Sequence, residues 1–190
     1  MKDKICYLTF DDGPNPPYTS LILDILKKER IKATFFVCGQ NAKEHPKTIK
    51  KIASEGHTIG NHSHYHRFLP TLIGAIYKET IETQKIIEDL VPQKEKLFRS
   101  PWLMAPFWLK HRLKKKGFKI IEGIVGGDWK TTITPEEITD KILSQTKNGT
   151  IIILHDGHNT NKNAKRPQTV KALEQIIKKL KRNGFSFGEL

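Results

Sequence analysis

The sequence predicts an α/β fold, a small, distorted and incomplete (β/α) barrel of about seven parallel strands. Short apolar runs alternate with stretches of helical periodicity from one end of the chain to the other, which implies parallel pairing through right-handed crossovers. The 190 residues fall short of the roughly 250 of a complete eight-unit barrel. Unusual polar residues stand where the apolar runs end, so the topology collects them on one rim. An open doubly wound sheet is the competing arrangement, and it would gather the same residues.

Ile5-Cys6-Tyr7-Leu8 is the first strand and leads into Thr9-Phe10-Asp11-Asp12-Gly13-Pro14. Gly13 and Pro14 stop it, the one by permitting unusual backbone angles and the other by removing a donor. Leu21, Ile22, Ile25 and Leu26 have helical spacing, and Ala33 to Cys38 is a strand buried on both faces that ends at Gly39. Ile49 and Ile52 mark a short helix ending near Gly56, before a third strand, His57-Thr58-Ile59-Gly60. A longer helix is expected from Ile76 to Leu90, with Ile81, Ile86, Ile87 and Leu90 on its inner face. Lys96-Leu97-Phe98-Arg99 is a fourth strand, Leu109 to Lys116 a helix, and Phe118-Lys119-Ile120-Ile121 a fifth strand. Thr134-Pro135-Glu136-Glu137 starts a helix, with threonine as N-cap, proline at the first position and Glu137 closing a capping box. Thr150 to Leu154 is the most apolar strand, Val170 to Leu180 the last helix and Phe185-Ser186-Phe187 the last strand. Residues 1–190 fit one domain.

The polar residues on the expected rim carry the chemistry. Successive strand residues face opposite sides, so Asp11 and Asp12 share one space only if the chain turns between them. Two readings follow: the carboxylates converge on a cation, or they cap the turn and face water. Asn61-His62-Ser63-His64-Tyr65-His66 follows the third strand, and His62 and His66 have the four-residue spacing that chelates a transition metal; an exposed polar loop is the alternative. Arg99 ends the fourth strand, Asp128-Trp129 follows the fifth, and His155-Asp156 ends the most apolar one.

With these residues in order, the chain resembles the polysaccharide deacetylase family, also called the NodB homology domain or carbohydrate esterase family four. Asp11-Asp12 fit its first motif, His62-Ser63-His64-Tyr65-His66 its histidine motif, and Arg99-Ser100-Pro101-Trp102 its arginine-proline motif. Asp128-Trp129 fit the fourth motif and Ile153-Leu154-His155 the last. The resemblance implies that Asp12, His62 and His66 hold a divalent metal, zinc first and cobalt or nickel as alternatives, with Ser63 bracing the loop. It implies Asp11 as general base positioned by Arg99, and His155 as general acid oriented by Asp128. Pro101, Trp102, Trp129, Ile153 and Leu154 would bind substrate, the last three around an acetyl methyl, with the Trp102 amide facing the oxyanion. Two positions depart from the family: Leu103 stands where glycine is frequent and Val125 where aspartate is frequent, which bears on substrate identity. His64 and His158 occupy variable positions and are expected at the surface or in the groove, not as ligands.

The expected activity is metal-dependent removal of N-acetyl groups from the sugars of a polysaccharide, with an N-acetylated carbohydrate as partner. O-deacetylation or deformylation of a sugar or lipid-linked sugar, and a silent carbohydrate-binding module, are the alternatives. The formal net charge of +13 favours anionic partners. The lysines, however, lie on segments that read as amphipathic helices with no interleaved aromatics, so weak attraction to anionic surfaces is expected and nucleic acid binding is not. No apolar run is long enough to span a membrane and no secretory signal precedes the first strand, which reads as cytoplasmic unless an export segment is missing. A monomer is expected. Cys6 and Cys38 fall at opposite ends of their strands and are expected to be free buried thiols.

Overall fold

In a computed structural model of the protein, residues 4–92, 95–158, 161 and 163–190 are described. The strands are β1 (Lys4–Asp11), β2 (Thr34–Val37), β3 (Thr58–Asn61), β4 (Lys96–Phe98), β5 (Phe118–Ile120), β6 (Ile124–Val125), β7 (Thr150–His155) and β8 (Phe185–Gly188). The helices are α1 (Tyr18–Glu29), α2 (Gly39–Glu44), α3 (Pro46–Ser54), α4 (Phe68–Leu72), α5 (Tyr77–Leu90), α6 (Phe107–Lys115), α7 (Pro135–Gln145) and α8 (Pro167–Arg182).

Seven parallel strands run in the order β5-β4-β3-β2-β1-β7-β6, and β8 pairs with the first half of β1. The two edge strands, β5 and β6, are separated by residues 121–123 alone. Four Cα steps reach at most about 15 Å, whereas six strand spacings of a flat sheet span about 29 Å. The sheet therefore has to curl until its edges approach, which makes it a half-barrel and rules out the open doubly wound form. Register then fixes the rim: Asp11 pairs with Phe36 of β2 and with His155 of β7, and Asn61 pairs with Phe98 of β4.

The main core lies between the sheet and helices α1, α3, α7 and α8, with Leu8, Phe10, Phe35, Ile142, Ile152, Leu154 and Ile176 fully or almost fully buried. A smaller cluster of Ile76, Phe98, Leu109, Leu113 and Phe118 fixes α6 against β4 and β5. The expected capping box of α7 is present, Thr134 accepting from the Glu137 amide and Glu137 from the Thr134 amide. Cys6 and Cys38 are free and buried.

Some expectations are corrected. Ile81 is 38% exposed, and the inner face of α5 is formed by Thr80, Thr83, Gln84 and Ile87. That face is polar because it meets the polar residues at the end of β3: Thr80 offers its carbonyl to Asn61 Nδ2 at 2.8 Å. Asp128 follows β6, a two-residue strand too short to show a pattern, and not the fifth strand. Helices α2 and α4 are additional.

Candidate active site

Asp11 and Asp12 reach the same space because the chain turns at Asp12, whose φ is 74°. The left-handed backbone there replaces strand alternation. Gly13 permits the turn to pack closely, since a Cβ at that position would lie 2.1 Å from the Asp156 carboxylate. Asn41, on α2, donates to the Asp12 carbonyl at 2.7 Å and holds the turn from the other side.

The histidine loop is anchored by Asn61 at the end of β3. Its Oδ1 accepts from the Ser63 amide at 3.0 Å, and Ser63 Oγ accepts from the His66 amide at 3.2 Å. Ser63 and His66 have φ of 64° and 51°, a tight loop that turns His62 and His66 toward Asp12. Their Nε2 atoms stand 3.5 and 3.4 Å from Asp12 Oδ1. His62 Nδ1 faces the Arg99 carbonyl at 2.8 Å. A carbonyl only accepts, so Nδ1 carries the proton and Nε2 presents its lone pair to the site. Burial, with His66 next, lowers the His62 pKa to about 3 and keeps the ring neutral.

Asp12 Oδ1 is buried and has no hydrogen-bond donor among the described residues. An acceptor carboxylate oxygen facing two imidazole nitrogens, one of them a defined lone pair, is the donor set a divalent transition ion completes. Asp12, His62 and His66 offer ligand atoms within 4.8 Å of one another.

Arg99 is fully buried beyond β4 and lies over the Phe36 ring at 4.0 Å. Its Nη1 donates to Asp11 Oδ1 at 2.6 Å and to Thr9 Oγ1 at 2.8 Å. Asp11 Oδ2 lies 3.8 Å from His62 Nε2, beside the three candidate ligands.

Across the cleft, His155 Nδ1 meets Asp128 Oδ1 at 2.9 Å, and the His155 amide donates to Asp128 Oδ2 at 2.7 Å. Thr169 Oγ1 donates to the same Oδ2 at 2.9 Å. Burial disfavours the imidazolium, but Asp128, with Asp12 and Asp11 behind it, outweighs burial and pushes the His155 pKa up to about 9. For Asp128 burial works upward, and His155 and the hydrogen bonds bring its pKa below the usual carboxylate range.

Asp11, Asp12, His62, His66 and His155 line a cleft of about 550 Å³ whose apolar wall is Trp102, Leu103, Val125, Trp129 and Ile153, with Arg99 and Asp128 buried behind them. The Trp129 ring stands edge-on to His155, with centroids 5.5 Å apart. Of the remaining expected substrate residues, Leu154 faces away into the main core, as strand alternation after Ile153 requires, and Pro101 is buried in the turn that carries Trp102. His64 is buried, against the surface or groove position expected of it: its ring packs edge-on to Tyr65 and its Nδ1 lies 3.4 Å from Thr83 Oγ1. His158 lines the cleft.

Sequence reasoning gave no role to Arg166, which lines the cleft and donates to the Gly157 carbonyl at 2.8 Å, nor to Thr19, whose hydroxyl donates to Asp156 Oδ2 at 2.6 Å. Burial raises the Asp156 pKa to about 7. A charged residue just past the strand with a buried hydroxyl partner 137 positions away leaves no local signal.

Comparisons with known proteins agree with this arrangement. The chain is 35% identical over 195 residues to a Bacillus cereus peptidoglycan-N-acetylglucosamine deacetylase, covering 97% of this chain and 68% of that protein. It is 35% identical over 196 residues to a Rhizobium leguminosarum bv. trifolii chitooligosaccharide deacetylase, covering 99% and 91%. A crystal structure of the Bc1960 peptidoglycan N-acetylglucosamine deacetylase superposes with a TM-score of 0.89 at 32% identity, over 100% of this chain and 87% of that one. The family description Polysaccharide deacetylase matches residues 1–121, and with these relatives and this half-barrel the chain belongs to the polysaccharide deacetylase family of metal-dependent hydrolases that cleave N-acetyl amide bonds.

Proposed function

We propose that the chain, as one catalytic domain, removes N-acetyl groups from N-acetylglucosamine units of a glycan of the peptidoglycan or chitin-oligosaccharide kind. One observation carries the reading: the buried, donorless Asp12 Oδ1 faces two histidine Nε2 atoms, while a carboxylate and an imidazolium flank the same cleft. Asp12, His62 and His66 would hold the ion, and zinc fits two imidazoles and one carboxylate, with cobalt and nickel as competitors. When bound, the ion supplies Lewis acidity toward the acyl carbonyl and the attacking water.

The chain's own residues do the rest. Asp11, its Oδ1 held by Arg99, takes a proton from the attacking water on Oδ2. The Trp102 amide donates to the developing oxyanion. His155, charged at neutral pH through Asp128, gives its proton to the departing sugar amine. Trp129 and Ile153 enclose the acetyl methyl and keep water from the leaving side, a pocket suited to a small acyl group. A peptidoglycan substrate would place the protein's work at the cell wall.

Acetate release from N-acetylglucosamine oligomers and peptidoglycan fragments, before and after chelation and metal replacement, tests this. Activity lost on chelation and restored by zinc is the expected result. Undiminished release after chelation overturns the metal centre, and release from acetylated xylan alone overturns the N-acetyl substrate. Glycan binding without product would make the chain a silent binding module.

A further inference from the structure

We propose that α4, α6 and the residues following α4 form a docking face for an anionic lipid bilayer, beside the mouth of the cleft. Phe68, Leu69, Leu72, Ile73, Phe107 and Trp108 are all exposed, Leu69 to 63% and Phe107 to 84%. They form one surface. Gly74, with φ of 69°, lies so close beneath Trp108 that a Cβ there would be 2.4 Å from the indole ring. The Trp108 ring therefore rests on the backbone next to Ile73 and ties α6 to the end of α4. On the other side the Phe68 ring meets the Trp102 ring edge-on at 5.3 Å, and Trp102 lines the cleft. Exposed apolar side chains scattered singly need no explanation, but a contiguous patch of this composition does.

Charge identifies the occupant. Residues 65–78 and 99–121, which contain the whole patch, include no Asp or Glu. Lys110 is paired with Glu122 at 2.7 Å and Arg112 lies over Tyr77 at 3.9 Å, but Lys114, Lys115 and Lys116 are exposed and make no ion pair among the described residues. On α6 the spacing sets Phe107, His111, Lys114 and Lys115 along one outward strip, aromatic at its start and cationic at its end. Such a strip suits an interfacial helix, with rings in the acyl boundary and ammonium groups among headgroups. A second copy of this chain would bring a like-charged patch against itself, and the net charge of +13 opposes that. Phe68, Phe107 and Trp108 offer ring faces, but Leu69, Leu72 and Ile73, the other half of the patch, are aliphatic and present none, which suits acyl chains better than the sugars of a glycan.

The test is flotation of the full chain with phosphatidylcholine vesicles with and without phosphatidylglycerol, at low and high salt. Binding is expected only with phosphatidylglycerol, weakening with salt, together with a blue shift of tryptophan emission. The exposed positions allow folded variants, checked by thermal unfolding. Leu69→Ser with Ile73→Ser, and separately Phe107→Ser, should each weaken vesicle partitioning by about tenfold or more. Lys114→Glu with Lys115→Glu should abolish the phosphatidylglycerol preference, while Lys171→Glu with Lys178→Glu on α8 should leave it nearly unchanged. Equal binding by the serine variants and the parent overturns the proposal, because diffuse charge then suffices. So does loss on reversing the α8 lysines to the same extent, or self-association abolished by the serine variants in a protein that does not bind vesicles.

Discussion

Asp11 and Asp12 are adjacent in sequence and opposite in surroundings, and the difference makes their roles separable. Asp11 is gripped by a buried guanidinium, whereas Asp12 Oδ1 faces two imidazole nitrogens and, among the described residues, no hydrogen-bond donor. Asp12→Ala should therefore abolish stoichiometric metal binding and activity together. Asp11→Asn should retain the metal, measured by elemental analysis after dialysis, and lose about 10²- to 10⁴-fold in kcat. Equal metal loss in both variants would refute the division between ligand and base. Across the cleft, the raised His155 pKa of about 9 depends on Asp128 overcoming burial. A general acid works only while protonated, so Asp128→Asn should move the alkaline limb of the kcat profile to lower pH by a unit or more. An unmoved limb would mean that Asp128 only orients the ring. These acids and histidines were legible in the sequence because their side chains are poor core material at the ends of apolar runs. Leu154 was misread as a substrate contact because its motif neighbours touch the cleft while strand alternation turns it into the core.

Most elements were read correctly, the three-residue strands β4 and β5 among them, because apolar runs or helical spacing mark them; the shortest and least regular were not. Helix α8 and strand β7 declare themselves through spacing and composition, but β6 has two residues, and α4 has five with a proline among them. Helix α5 misled at Ile81 because its inner face serves a polar loop and not the core. That loop shows what the sequence could not reveal, the support beneath the histidines. Asn61, fully buried, joins the end of β3 to both the Ser63 amide and the Thr80 carbonyl. Asn61→Ala should lower metal affinity by about 10- to 100-fold, read by competition with a chromophoric chelator, with Asp12, His62 and His66 all still present. Wild-type affinity in that variant would show that the loop holds its shape without the asparagine.

At the scale of the molecule, the half-barrel hangs on β1, which pairs with β2, β7 and β8 and carries the two aspartates at its end. The curl follows from a connection of three residues between β5 and β6, which was in the sequence but had no meaning until the strand order was known. Stability of this frame should fall in mild acid through a histidine far from the chemistry. His57 is 7% exposed; its Nδ1 accepts from the Ala33 amide at 3.2 Å and its ring packs edge-on to Phe35. Burial, with Lys32 in support, lowers its pKa to about 4. The unfolded chain takes up that proton near the ordinary histidine value of about 6.5, whereas the folded chain refuses it until about 4. Above about pH 6.5 both states hold the ring neutral and nothing is lost; below it the unfolded state binds more protons, and stability declines until the folded ring also titrates. At pH 5 the loss amounts to about 2 kcal/mol. Denaturant unfolding of the parent and of His57→Gln at pH 7.5 and pH 5 isolates this share, because the other histidines are common to both proteins. The glutamine variant is expected to be less stable at neutral pH and to lose about 2 kcal/mol less than the parent on acidification. Identical acid losses in the two proteins would assign the decline to other groups, with the buried His62 side chain first among them.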